Sequence, residues 1–160
     1  MLYPRLLGGD FESLPRALRD FHSAPGGGTA SGTVEVRREC GWLAGLLGFP
    51  RSGSGIPLRL QVIPDGEREV WIRRFGETEL RSLQRLEGDL LLEMLGPVRI
   101  FFCVFADHTG MRFQSQRARL WLFPVPLRVE AQTWGSDSGW EFRVRVARVG
   151  WYRGVAVRVL

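Results

Sequence analysis

A single antiparallel β-barrel, or a strongly curled half-barrel, is the fold class this sequence predicts. Three observations lead there. From Ile56 onward the chain breaks into about ten strand-length segments separated by short Gly, Pro and Asp turns. Within these segments apolar and polar residues alternate, which gives a sheet with one dry face and one wet face. Helical periodicity is confined to the beginning, so the sheet has few helices to cover its dry face and must cover it by closing on itself.

The N-terminal residues 1–28 read as a helical segment. Leu14, Ala17, Leu18 and Phe21 fall on one helical face, with Ser13 placed to cap and Pro15 in the first turn. Leu2, Tyr3, Leu6 and Leu7 suggest an earlier turn or two, broken at Gly8-Gly9. Pro25 and the run Gly26-Gly27-Gly28 end the segment. A helix here is expected to pack on the outside of the barrel formed by residues 29–160, within one domain.

Thr33–Arg38 is a short strand. The stretch from Cys40 to Pro50, CGWLAGLLGFP, is too apolar for a surface loop and too rich in Gly for a long helix, so it predicts one or two helical turns. Arg51–Gly55 reads as a loop. Strands then follow at Leu58–Ile63, Glu69–Phe75, Glu79–Arg85, Leu90–Leu95 and Val98–Ala106. Pro64-Asp65-Gly66 is a hairpin signal with a mechanism, since Pro presets φ and Gly supplies a positive φ. Met111–Gln116 and Ala118–Phe123 read as two strands, followed by Leu127–Trp134, Trp140–Val149 and Trp151–Val159. Short connections make antiparallel neighbours the expectation throughout.

Composition bounds the function classes. The chain has 160 residues, of which 44% are hydrophobic and 24% charged, enough for one cored domain. The net charge is +5, and every basic residue is Arg, since the sequence has neither Lys nor Asn. The densest basic stretch, WEFRVRVARVGWYRG, alternates: Trp140, Phe142, Val144 and Val146 point one way, and Glu141, Arg143 and Arg145 the other. Acids interrupt the arginines, so this is read as the wet face of a sheet and not as a specific nucleic-acid interface. Cys40 and Cys103 make neither a disulfide framework nor a zinc pattern, which points to reduced thiols and a cytoplasmic location. No secretory leader is read in the first residues, and no apolar run has the length of a membrane-spanning helix, so an integral membrane protein is not expected.

No catalytic signature stands out, and neither a metal nor a cofactor is expected. His22 ends a helix and His108 sits in a turn; Asp107 and His108 are adjacent, so their side chains diverge. The apolar segment Trp42–Phe49 would lie across one mouth of the barrel, as a plug of core or as a lid over a cavity. Trp140 and Phe142 are inward candidates, with Phe102, Phe113 and Leu120. Arg74 shares a face with Val70 and Ile72, and Ser82 with Leu80, which makes them polar groups facing inward. Trp42, Leu46, Arg74, Ser82, Trp140, Phe142 and Tyr152 are therefore the candidate ligand-binding residues.

Several stretches together carry a resemblance: LYPRLLGGDFESLPRALRDFH, VWIRRFGETELRS, EMLGPVRIFFCVF, LFPVPL and the Trp-Tyr-Arg-Gly near the end. They resemble a bacterial domain of unknown function, family number 4166, over most of the chain. The resemblance implies cytoplasmic proteins, standing alone or joined to reductase-like or membrane partners, and it implies no activity. The terminal VAVRVL departs from the pattern. The function expected is non-covalent binding of a small apolar or amphipathic ligand in a lipocalin-like or fatty-acid-binding-like barrel. The alternatives are a filled-core interaction module serving a partner enzyme and, third, an enzyme.

Overall fold

The computed structural model describes residues 1–159. Three short helices, α1 (Leu2–Leu7), α2 (Asp10–Ser13) and α3 (Arg16–Ser23), precede β1 (Thr29–Arg38). After β1 come α4 (Gly41–Leu46), β2 (Gly53–Asp65), β3 (Arg68–Phe75), β4 (Thr78–Glu87), β5 (Leu90–Leu95) and β6 (Val98–Asp107). The chain finishes with β7 (Gly110–Leu120), β8 (Phe123–Val125), β9 (Val129–Gly135), β10 (Trp140–Val146) and β11 (Gly150–Arg158). β1 to β7 pair in sequence order, β7 pairs β9, and β9, β10 and β11 return to β1. Every pairing is antiparallel, and the ring of ten strands is closed; β8 is a stub on the upper half of β7. The sequence-predicted barrel is the fold, and closure leaves no unpaired sheet edge around the ring.

Local rules explain most of the elements. Gly66 turns the β2–β3 hairpin at φ 61°, as the Pro-Asp-Gly signal requires. The apparent break at Arg117 is a bulge: Phe102 pairs with Ser115 while its neighbour Phe101 pairs with Arg117. The two expected strands are therefore one, β7, whose inward parity shifts by one residue at Gln116. The loop expected over Arg51–Gly55 ends early, because β2 already begins at Gly53. Ser13 closes α2, its hydroxyl donating to the Asp10 carbonyl, and Pro15 takes the N-cap position of α3.

The expected position of the N-terminal helix is corrected. Tyr3 lies against Trp71 of β3 and Phe113 of β7, both at 6.2 Å between ring centroids, and Phe21 lies against Trp71 and Trp140 of β10. These strands stand on different sides of the ring, so a side chain touching both β3 and β7 is inside it. The N-terminal helices are a plug. The physical reason is volume: ten strands enclose more space than their own inward side chains fill. The plug enters the end of the barrel that carries the β2–β3, β4–β5, β6–β7 and β9–β10 turns. It is fixed there by the Leu2 amide donating to Glu69 Oε1 (2.8 Å) and the Ala17 amide donating to the Ser136 carbonyl.

Tyr3 is buried among aromatic rings and donates its hydroxyl to Gln84 Oε1 at 3.0 Å. Tyr3→Ala is expected to cost about 3–5 kcal/mol through the cavity it leaves. Tyr3→Phe is expected to cost about 1–3 kcal/mol, because Gln84 loses its partner while the ring is kept. Denaturant unfolding monitored by tryptophan fluorescence separates the two.

Candidate functional site

Inward-facing residues divide the lumen into two halves. At the plug end, Ala30, Leu60, Val62, Trp71, Leu91 and Trp140 are buried under Phe21, Tyr3 and their neighbours. The opposite end carries α4 and the β3–β4, β5–β6 and β10–β11 turns. Below α4 itself the wall is sealed: Phe49 and Phe75 pack on Tyr152, and Arg38 holds the loop by donating to the Phe49 and Pro50 carbonyls. Away from α4 the inward residues Leu80, Leu95, Leu120, Val144 and Val146 are only half-buried, as are Leu43 and Leu47 on the underside of α4. At this end, the cup, solvent therefore reaches these apolar side chains in part, while Val98, Ile100 and Ala118 beside them are buried.

A polar cluster lies between the two halves. Arg73 of β3 donates to Ser82 Oγ (2.8 Å) and to Glu93 Oε1 (2.9 Å), and Ser82 Oγ donates to the same carboxylate oxygen at 2.6 Å. Both charged side chains are nearly buried, at 13% and 12% exposure. The guanidinium also lies 4.9 Å from the Trp71 ring centroid. Burial works against the Arg73 charge, and the Glu93 carboxylate outweighs it, so the Arg73 pKa is raised. Tyr152 lies within the field of both charges; burial raises its pKa, Arg73 lowers it, and Glu93 raises it.

The structure sorts the sequence-predicted residues. Ser82, Trp140, Phe142 and Tyr152 face the lumen; Ser82 joins the polar cluster, Trp140 lies in the sealed half, and Tyr152 and Phe142 pack together at 6.2 Å. Arg74 does not face inward. It stands on the outer wall and pairs with Glu79 at 2.8 Å; the inward arginine is Arg73. Trp42 and Leu46 point to solvent from the outer side of α4 instead of into the cup. Arg74 was misplaced because Val70 and Ile72 resemble a dry face, whereas Trp71 and Phe75 mark the true one; a strand apolar on both faces leaves the parity open. Glu93, Gln84 and Glu69 were missed altogether. The signal for Glu93 was present in Leu91-Leu92-Glu93-Met94-Leu95, where the acid shares parity with Leu91 and Leu95. The outer wall carries Arg143 and Arg145, as the alternation required, and Arg153 pairs there with Glu35 at 2.9 Å.

Two grooves indent the outer wall, both lined mainly by outward-facing residues. One of about 320 Å³ runs between Arg112, Glu130, Gln132, Arg143 and Arg145. One of about 580 Å³ lies beside Trp134, Glu141, Val155 and Val157. Among the described residues no cluster of His, Cys, Asp or Glu could hold a metal ion, and no helix is long and apolar enough to cross a membrane. Cys40 and Cys103 are free thiols.

These features define a class: a ten-stranded up-and-down β-barrel, plugged at one end and open at the other over a buried ion pair. Neither a protein family nor a curated protein matches the chain. Among solved structures, a secretary abundant heat soluble (SAHS) protein from Ramazzottius varieornatus is similar at 12% identity and a TM-score of 0.46, over 80% of this chain and 91% of that one. At that identity and score the similarity carries no inference about function.

Two outcomes follow from the buried polar groups. Arg73→Met leaves the Glu93 carboxylate buried beside Ser82 alone and is expected to destabilise by about 3–5 kcal/mol, whereas Arg73→Met with Glu93→Met recovers most of the loss; thermal melts of the three proteins check this. His22 is buried against Tyr3 (4.0 Å) and Phe21, and burial lowers its pKa from 6.5 to about 3. The unfolded chain therefore binds a proton between those values that the folded chain refuses, and stability falls as pH drops below 6.5. The His22 contribution to that slope approaches about 1.4 kcal/mol per pH unit and is absent in His22→Phe, as urea titrations across this range should show.

Proposed function

We propose that the barrel binds a small amphipathic molecule in the open cup, apolar body against Leu80, Leu95, Leu120 and Val144, polar end towards Ser82, Tyr152 and the Arg73–Glu93 pair. The observation that carries this reading is the contrast between the halves of the lumen. Leu80, Leu95, Leu120, Val144 and Val146 are half-buried at the α4 end, against Val104, Ala106 and Phe113 towards the plug, where most inward side chains are buried. Apolar surface left open inside a concave wall gains free energy when a ligand covers it. Arg73 is already neutralised by Glu93, so a polar end that accepts or donates hydrogen bonds fits better here than a second carboxylate.

The filled lower half favours a second reading, an interaction module whose lumen serves stability only. In either case the reading places the chain in the cytoplasm, in keeping with two free thiols, and as kin of the domain family numbered 4166 on the stretches quoted above. An enzymatic role gains no support from the polar cluster, whose groups are committed to one another.

Val144→Trp tests the choice. The indole should fill the cup and lower affinity for a fluorescent long-chain fatty alcohol by about tenfold or more, with little change in melting temperature. Absence of probe binding by the unaltered protein, or binding indifferent to Val144→Trp, gives the interaction module first place.

A further inference from the structure

The open end of the barrel carries two apolar protrusions that the luminal reading does not use. Trp42 and Leu46 on α4 are 75% and 74% exposed, and Trp121, Leu122 and Phe123 at the β7–β8 turn are 65%, 77% and 72% exposed. In an up-and-down barrel alternate connections share an end, so the β1–β2 and β7–β9 connections rise from the same rim. Trp121 holds φ 53°, a conformation a bulky aromatic rarely adopts, and its amide is tied to the Pro97 carbonyl. The turn is thus held with its side chains outward, where folding gains nothing from them.

Charge is distributed along the same axis. Arg51, Arg99, Arg117, Arg119, Arg128 and Arg148 belong to this half of the barrel, and none is ion-paired with a carboxylate among the described residues. Of the acids in this half, Glu35, Glu39, Glu79 and Glu93 face arginine partners, and Glu77 and Glu130 have none among the described residues. Arg99 and Arg119 are directly opposite each other across β6 and β7, a like-charge pairing that costs stability unless an anion lies between them. Every aspartate of the sequence lies at the plug end or on the plug itself, with Glu67 and Glu87. The molecule is therefore polarised in charge: a basic end that carries the most exposed apolar side chains, and an acidic end where Phe105, Trp134 and Val157 are 50%, 39% and 51% exposed.

We infer that the open rim docks on an anionic lipid surface, with Trp121, Leu122, Phe123, Trp42 and Leu46 entering the interface and the flanking arginines meeting lipid phosphates. Apolar tips alone would fit a protein partner equally well. The unpaired arginines and the end-to-end charge reversal select a flat negative surface, which turns this end towards itself and repels the other. This inference does not rest on the luminal reading.

The experiment is co-sedimentation of the full chain with vesicles of phosphatidylcholine alone and of phosphatidylcholine with equimolar phosphatidylglycerol. Binding to the anionic vesicles, weak binding to the neutral ones, and loss at high salt are expected. The double variants L122E/F123E and R99Q/R119Q should each weaken binding by about tenfold or more. Ile63→Glu, an equivalent change on an exposed residue towards the plug end, should leave it intact, and melting temperatures establish that all variants fold. No vesicle binding, equal binding to both compositions, or binding indifferent to the rim variants overturns the inference. So does a dimer in solution that L122E/F123E converts to monomer without vesicle binding, since the rim would then belong to a second copy.

Discussion

The structure depends on one constraint, the volume enclosed by ten closed strands. A ring of that size is too wide for its own inward side chains to fill, and an empty apolar lumen forfeits both burial and dispersion contacts. The N-terminal helices meet the constraint at one end by bringing Tyr3, Phe21 and His22 into the ring, against aromatic residues from β3, β7 and β10. At the other end only α4, six residues long, is available, and it covers one side of the mouth. The asymmetry of the molecule, sealed below and open above, follows from this unequal supply of side chains.

The polar cluster takes its meaning from that asymmetry. A buried Arg–Glu pair is weak evidence for stability, since an apolar pair of the same volume often serves as well. Here the pair lies where the sealed and open halves meet, with Ser82 and Tyr152 around it. Its position gives the open half of the lumen a polar floor. The outer wall follows a different logic. Its arginines either pair, as Arg153 does with Glu35, or cover apolar residues, as Arg117 does at 4.2 Å from the Phe101 ring centroid. Near the open rim Arg51, Arg99, Arg128 and Arg148 have no carboxylate partner among the described residues.

Much of this was legible in the sequence. Alternation and turn chemistry determined the strands, the antiparallel order and the closed barrel, because both signals are local and each strand reports its own parity. Trp140, Phe142, Val144 and Val146 face inward as their spacing requires, and Arg143 and Arg145 face out. Gly41–Leu46 forms the short helix that its apolar and Gly content allows. The inward position of Ser82 was equally legible.

What the tertiary structure decided concerns choices that local pattern leaves even. β3 is apolar on both faces, so only its pairing with β2 and β4 decided that Arg73, and not Arg74, enters the lumen. The amphipathic face of α3 would bury equally well outside the barrel or within it; the unfilled lumen decided the matter. The apolar residues of α4 read as one cluster, but a helix has two sides, and only its seat on the rim turned Leu43 inward and Trp42 and Leu46 outward. A residue's parity along a strand is set by neighbours in sequence, whereas its destination is set by the space that the closed ring leaves to be filled.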